Sequence, residues 1–326
     1  MVAILILNWN GYKDTIECIH SIYKNETSPY FIIVGDNGST DNSVDKIIGY
    51  AESQNIKVHR EKLFHEALSN VGVGDLILYD MLTNNGFAKG NNLMIKYSRR
   101  FTPEYYFLLN NDTVVTRDFL SILLDFKCKY PQYHVIAPLI PYYYNKNRIW
   151  NAGGQLFWGF RRYHFENQDI NCIKNREYLR CSFITGCAML VSECCMSEDG
   201  SLFTEDFFFG EDDFELALRL KKKGILQACV LNSLVYHKVS ASSNNFVNID
   251  KIFIHYLNRY IDLRKNLSKF SFFVWKIVNN IYIYQLLRKQ FDSSQVKAFI
   301  KELNKECSLQ NGVTKDYFEK RLKLKK

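Results

Sequence analysis

Four polar clusters carry the side chains that could handle phosphate, metal ions and protons. The first is Gly35-Asp36-Asn37-Gly38-Ser39-Thr40-Asp41. A carboxylate held at a strand end can accept from the N3–H of uracil or thymine, and nearby ribose hydroxyls suit a second acceptor. The same letters spell an Asx turn and a helix N-cap equally well. The second cluster is Asn110-Asn111-Asp112, directly after the apolar run Tyr105 to Leu109. Mg2+ and Mn2+ bind through one or two carboxylates plus substrate phosphates, so a single placed aspartate can suffice. Such a metal neutralises charge growing on a departing diphosphate. Three turn-formers in a row also make a simple polar bend.

The third cluster is Gly210-Glu211-Asp212-Asp213-Phe214-Glu215-Leu216. Acids in the first turn of a helix are favoured by the dipole alone. Consecutive carboxylates nevertheless repel, which lifts at least one pKa toward the range of a general base. The spacing does not choose among Glu211, Asp212 and Asp213. Last comes His237, between the strand-like Leu234-Val235-Tyr236 and Lys238-Val239-Ser240. An imidazole there could ligate a metal or donate to a phosphate oxygen, although a lone histidine is more often structural.

The elements that must position these clusters alternate in period. Val2 to Leu7, Phe31 to Val34, Leu76 to Leu82 and Tyr105 to Leu109 read as short buried strands. Tyr12 to Tyr23 and a stretch from Asn42 read as helices, and Thr83 to Asn92 as a polar loop leading into a helix over Leu93 to Tyr97. This alternation is the signature of βαβ units and a largely parallel sheet. The clusters at 35–41, 83–92 and 110–112 each fall at the carboxyl end of a strand, the edge where open α/β sheets bind ligands. Residues 134–190 read as mixed strands and loops. A helix follows over Asp213 to Lys223, then short strands at Leu226 to Leu231 and Leu234 to Tyr236, then about four helical pieces from Asn248.

Charge separates the two ends of the chain. Residues 251–326 hold 17 Lys plus Arg against 6 Asp plus Glu, whereas residues 1–250 hold 25 against 28. The overall +8 therefore belongs to the tail and argues against nucleic acid as a partner. Within that tail, Lys269 to Lys276 and Ile281 to Tyr284 with Arg288-Lys289 set aromatic and aliphatic side chains beside basic ones. We expect residues 268–289 to dock on an anionic membrane surface, with packing back on the catalytic part or a homodimer contact as the alternatives. The 9 cysteines lack metal or disulfide spacing and read as reduced thiols. Neither a signal peptide nor a run of about 20 apolar residues is present.

Taken in order, the clusters resemble glycosyltransferase family 2, the inverting enzymes of GT-A fold, and its rhamnosyltransferase-like branch in particular. The matching blocks are ILNWNGYKDTIECIHSI, VGDNGSTDNS, NNGFAKGNN, YFLLNNDT, ITGCAMLV, FGEDDFELALRLKKKGI and VYHKVSASS, over about residues 2–242. The resemblance implies an α/β, GT-A type fold with a mostly parallel, Rossmann-like sheet flanked by helices. It implies a catalytic domain over 1–245, with a nucleotide-sugar half near 1–115 and an acceptor half near 116–245, and a basic, aromatic helical extension over 246–326.

By position, the resemblance makes Asp36 the reader of the pyrimidine, with Asn8, Asn10, Asn85, Gly86 and Asn91 near the nucleotide and Asp41 closing the turn. Asp112 stands at the motif that holds Mg2+ or Mn2+ and the diphosphate, with Asn110 in place of its first carboxylate, and His237 matches a late histidine on the metal or diphosphate. Asp213 keeps the catalytic base, supported by Asp212 and Glu211, and Gly186 lies in the acceptor wall. The implied reaction moves a sugar from a UDP- or dTDP-linked donor, dTDP-rhamnose among them, to a saccharide or polyisoprenyl-linked acceptor. Cell-surface polysaccharide synthesis, in the cytoplasm or peripherally on the inner face of the plasma membrane, is the expected setting.

Residues 60–75 look longer than the family requires and read as an inserted surface segment. Two rivals remain, a sugar nucleotidyltransferase and a non-catalytic membrane- or partner-binding module. The first would need a Gly-rich basic loop where Asn8-Trp9-Asn10-Gly11 stands, and the second leaves the acids at 112 and 213 without a purpose. No G-x-G-x-x-G follows the first strand, which weighs against a dinucleotide-dependent oxidoreductase.

Overall fold

The run Tyr30 to Asp36 is buried at every position, and Val2 to Asn8 at every position but Leu7. Strands buried on both faces belong in the middle of a covered parallel sheet. That is their place in the structure, a computed structural model that describes residues 1–173, 175–239 and 249–322.

In chain order the elements are β1 (Val2–Asn8), α1 (Tyr12–Asn25), β2 (Tyr30–Asp36), α2 (Ser43–Ser53), β3 (Val58–Lys62), β4 (Leu76–Asp80) and α3 (Gly86–Ser98). Next come β5 (Tyr105–Asn110), β6 (Thr113–Val115), α4 (Phe119–Lys129), β7 (Tyr133–Pro141), β8 (Ile149–Asn151), β9 (Gly154–Phe157), β10 (Phe160–Tyr163), β11 (Tyr178–Cys181) and β12 (Ala188–Val191). The chain continues through α5 (Asp212–Lys222), β13 (Leu226–His237), α6 (Ile249–Asn266), α7 (Lys269–Leu287), α8 (Ser293–Leu309) and α9 (Lys315–Arg321).

The main sheet runs β11-β13-β7-β12-β5-β1-β2-β4-β3, with β6 beside β13 and β8 beside β7. Strands β3, β4, β2, β1 and β5 are parallel throughout, and β13 is parallel to β7. Strand β12 runs antiparallel between β5 and β7, and the short β11, β6 and β8 pair antiparallel at the far side, so the sheet is mostly parallel, as expected for the GT-A type. Alternate residues of β1 and β2 face opposite layers. Ile4, Ile6, Ile32 and Val34 meet α1, α2 and α4, whereas Ala3, Leu5, Phe31 and Ile33 meet α3 and α5.

Three local expectations need correction. The polar run Asn84 to Asn92 is not a loop, because α3 begins at Gly86 and buries Ala88, Gly90, Asn91 and Asn92. Its polarity is structural: the Asn92 side chain accepts from the Leu202 and Phe203 N–H groups at 3.0 Å each and donates to the Phe203 carbonyl at 2.9 Å. The supposed insertion at 60–75 starts as the edge strand β3, whose Glu61 is buried and accepts from the Ala67 and Leu68 N–H groups. Finally, the two short strands over 226–236 are one strand, β13, with a register shift between Val230 and Leu234.

Among the described residues four helices follow residue 248, the number expected, and they share a core with residues that precede them. Phe253, Leu257, Tyr260, Trp275 and Phe299 pack against Phe183, Phe207 and Phe214. The expected boundary at 245/246, and Ser240 to Ser243 of the last matching block, lie outside the described residues. All 9 cysteines are free thiols, and no described helix is long and apolar enough to cross a membrane.

Inside that shared core Asp262 is 1% exposed, and its Oδ2 has no hydrogen-bond partner. Burial, and then the nearby Glu211 and Glu215, push its carboxyl up to about 8. A group whose folded pKa is raised gives its full stabilisation below the unfolded value and loses it as pH climbs through the folded value. Asp262→Asn keeps the shape without the charge. Its melting temperature should exceed the wild type's by more at pH 9 than at pH 6, and a pH-independent difference in scanning calorimetry would contradict this.

Candidate active site

Strands β1, β2, β5 and β13 all deliver their carboxyl ends to one edge of the sheet, and the sequence clusters travel with them. Parallel register sets Asn8 beside Asp36. From there a chain of side-chain hydrogen bonds crosses the edge. Ser39 N–H donates to Asp36 Oδ2 at 3.0 Å, and Asn8 Nδ2 donates to Asp36 Oδ1 at 2.8 Å. Thr15 Oγ1 donates to Asn8 Oδ1 at 2.8 Å, and Asn111 Nδ2 donates to Thr15 Oγ1 at 3.0 Å. The turn after β2 and the turn after β5 are thus held at a fixed separation by buried groups.

This network alters the assigned parts. Asp36 is only 1% exposed with both oxygens engaged, so it lies under its turn and offers no open carboxylate to a base. Asn8 is wholly buried for the same reason and acts on Asp36. Asn91 is buried and donates to the Phe87 carbonyl of its own helix, not to a ligand. Asp41 accepts from Ser43 N–H at 3.1 Å and from the Ser43 hydroxyl, which is the Asx-turn use of that residue.

Asn10 stays on the exposed rim, in the left-handed region at φ 51°, and accepts from Thr40 N–H at 2.7 Å. Asn85 and Gly86 form the facing rim. Asn37, which carried no assigned role, bolts the two turns together: its Oδ1 accepts from Asn85 N–H at 2.8 Å and its Nδ2 donates to the Gly86 carbonyl at 3.1 Å. At Gly86, φ is +77° and the Phe208 carbonyl lies where a Cβ would stand, so both backbone and space demand glycine.

Asp112 and His237 meet because β6 pairs antiparallel with β13, setting Thr113 opposite His237. His237 Nε2 lies 3.1 Å from Asp112 Oδ1, both residues being under 9% exposed. The other imidazole nitrogen, Nδ1, is buried with no hydrogen-bond partner, and the Trp150 ring stands edge-on at 4.3 Å. One oxygen and one nitrogen donor fit a divalent ion that takes its other ligands from phosphate and water. Among the described residues no group of three or more His, Cys, Asp or Glu is placed to hold a metal by itself.

The acidic cluster at the start of α5 separates into three environments. Glu211, at φ 72°, is buried and ion-paired with Arg259 of α6, whose Nη2 lies 3.2 Å from Oε2. Asp212 is 5% exposed, and burial first and Asp213 second raise it well above the carboxylate range. Asp213 alone of the three keeps an open side chain, 24% exposed, in a cavity of about 280 Å3 lined also by Trp150, Arg161, Thr185 and His255. Burial raises its pKa, against the opposing pull of Arg161 at 3.7 Å.

The Cys187 carbonyl accepts from Asn110 N–H at 2.8 Å, which ties the chain beside Gly186 to the turn that carries Asp112. The buried Cys187 thiol, raised first by burial, is raised further by both Asp112 and Asp213. Trp150 spans the gap between the acid at 213 and the pair at 112 and 237, touching His237 while lining the cavity of Asp213. At Gly186 a Cβ would stand 3.1 Å from the Phe87 ring.

Arg161, Arg259, His255 and Lys315 had no motif to betray them. Arg161 comes from the small β9–β10 hairpin and stacks over Tyr163 and Phe183 at 5.3 Å each. Lys315, from α9, donates to the Asn84 carbonyl at 3.0 Å, so the C-terminal helices reach both the acidic cluster and the rim at Asn85.

Residues 3–187, more than half of the chain, match the family described as glycosyl transferase family 2. No curated protein sequence matches significantly. Among solved structures the chain is similar to GalNAc-T7 with UDP, GalNAc and Mn2+ (13% identity, TM-score 0.57, covering 98% of this chain and 56% of that one). It is also similar to the mannosyltransferase PcManGT from Pyrobaculum calidifontis with GDP-Man and Mn2+ (12% identity, TM-score 0.57, 95% and 86%). A third likeness is to S. aureus TarS 1-349 (10% identity, TM-score 0.50, 94% and 71%). The chain spans little more than half of the GalNAc-T7 chain, and at these identities the likeness is one of fold.

The hydrogen-bond chain through Thr15 is open to direct test. Thr15→Val preserves volume but strands the buried Asn8 acceptor, at a cost of about 1–3 kcal/mol. Urea unfolding should show a lower midpoint at unchanged slope. An unaltered midpoint would mean that the chain does not hold the edge together.

Proposed function

Because the chain belongs to glycosyl transferase family 2, we propose that it transfers one sugar, with inversion, from a UDP- or dTDP-linked donor to a hydroxyl of a saccharide or lipid-linked saccharide. The blocks that resemble the rhamnosyltransferase-like branch favour dTDP-rhamnose as donor and cell-surface polysaccharide synthesis as setting. The observation that carries the reading is the meeting of Asp213 with the Asp112–His237 pair across Trp150, which lines the cavity of Asp213 and stands edge-on to His237.

In this reading the nucleotide lies along the rim formed by Asn10, Ser39 and Asn85, with Asp36 acting through the turn that it holds. Asp112 and His237 hold Mn2+ or Mg2+, whose charge offsets that of the departing diphosphate when bound. Support for a metal comes from the donor atoms themselves and from the Mn2+ in GalNAc-T7 and PcManGT. Asp213 takes the proton from the acceptor hydroxyl, which then attacks the anomeric carbon on the face opposite the diphosphate. Arg161, beside Asp213, keeps that carboxylate ionised and is placed to orient acceptor hydroxyls. Glu211 is excluded as the base by Arg259, and Asp212 by its burial.

Asp213→Asn should lower transfer by about 10²- to 10⁴-fold and leave donor affinity unchanged in calorimetry. A base works ionised, and burial raises this one. In the wild type kcat/KM should therefore fall as pH drops through a value above the ordinary carboxylate range. Transfer at the normal rate by the Asn variant would remove the assignment.

Metal use has its own readout. A ligand at about 100 times its Kd stabilises a fold by about 2.7 kcal/mol. Mn2+ with UDP or dTDP should raise the wild-type melting temperature, and His237→Ala should cancel the part that depends on Mn2+. An equal Mn2+-dependent rise in both proteins would place the metal elsewhere.

A further inference from the structure

Helix α7 is apolar on both sides. Its inward face sets Asn279 and Asn280 among the buried Trp275, Ile283 and Leu287: Asn279 Nδ2 donates to the Tyr260 hydroxyl at 3.3 Å, and Asn280 Oδ1 accepts from that hydroxyl at 2.8 Å. Its outward face carries Phe270 (76% exposed), Phe273 (58%), Ile277 (45%), Ile281 (55%) and Tyr282 (50%), with Val278 and Leu286 alongside. Spacings of three and four residues place these side chains along one side of the helix. Contiguous exposed apolar surface of this kind marks an interaction site.

Charge selects the occupant. From Leu267 to Phe291 there is no Asp or Glu, while Lys269 stands at one end of α7 and Arg288 and Lys289 just beyond the other. An antiparallel second copy on this face would bring those cations against each other. An anionic lipid surface instead meets them with phosphate while the rings enter the acyl boundary. The helix lies on such a surface and does not cross it, since no described helix is apolar enough to span.

The same helix leads to the cavity of Asp213. A second cavity, of about 400 Å3, runs between α6 and the end of α7, walled by Ile252, Tyr256, Leu286 and Leu287. His255 lines both this groove and the cavity of Asp213. We infer that the outer face of α7 seats the protein on an anionic lipid surface, and that the α6–α7 groove receives the apolar chain of a lipid-linked acceptor whose hydroxyl end passes His255 to Asp213. This deepens the glycosyl-transfer reading and rests on it.

Two measurements on the full chain test the inference. The wild type should sediment with phosphatidylglycerol vesicles about ten- to a hundred-fold more than with phosphatidylcholine vesicles, and less so in high salt. The exposed double substitution Ile277→Glu with Ile281→Glu should abolish that retention and leave donor hydrolysis unchanged. A photoreactive long-chain isoprenyl phosphate should label residues within 251–256 and 286–290. Retention by neither vesicle, equal retention by both, a solution dimer that the double substitution dissolves, or labelling elsewhere or none would overturn the inference. Failed vesicle binding with intact donor hydrolysis leaves the glycosyltransferase reading standing. Vesicle binding without any donor turnover would sink that reading instead.

Discussion

The buried hydrogen bond from Asn8 to Asp36 is the constraint on which the site depends. It exists because β1 and β2 are parallel neighbours whose last residues fall in register. A buried carboxylate without donors is expensive, so Asp36 requires Asn8 and Ser39, and Asn8 in turn requires Thr15. Each requirement fixes another loop. The result is a rigid edge at which Asn10, Asn85 and the Asn110–Asp112 turn hold their separations before any ligand arrives. Preorganisation of this kind lets fixed dipoles act on developing charge without reorganising.

A second constraint comes from the far end of the chain. Arg259 lies over the Phe214 ring at 3.5 Å while it pairs with Glu211, and Asn258 donates to the Phe209 carbonyl at 2.9 Å. Buried ion pairs seldom add much net stability, because desolvation offsets their attraction. What this pair does is choose among carboxylates. By neutralising Glu211 within α6's packing it leaves Asp213 as the open acid of the cluster. The C-terminal helices are therefore part of the site's wall, with His255 of α6 lining the cavity of Asp213.

Much of the fold could be read from periodicity. Short apolar runs with β-branched residues gave the central strands, and their carboxyl ends gave the edge where the polar clusters collect. Reading failed where polarity served packing. Asn91 and Asn92 look like loop residues, yet an asparagine whose amide is spent on backbone groups is a core residue, as Asn92 shows against Leu202 and Phe203. Glu61 misled in the same manner, its charge hidden in an edge strand by two backbone N–H groups. The tail's rings divided, Trp275 packing inward and Phe270 outward, a split that depends on which face meets α6 and α8.

By itself the sequence determined the sheet class, the order of the clusters, and the residue types able to hold a base, a diphosphate and a metal, since these depend on local pattern and motif. Which acid stands open, that Asp36 lies beneath its turn, that Arg161 and His255 border the cavity, and that Arg259 pairs with Glu211 were decided by tertiary structure alone. Burial and pairing between residues some 30 to 130 positions apart set those outcomes. Solvent access and electrostatic environment belong to the packed chain, and no single stretch of it encodes them.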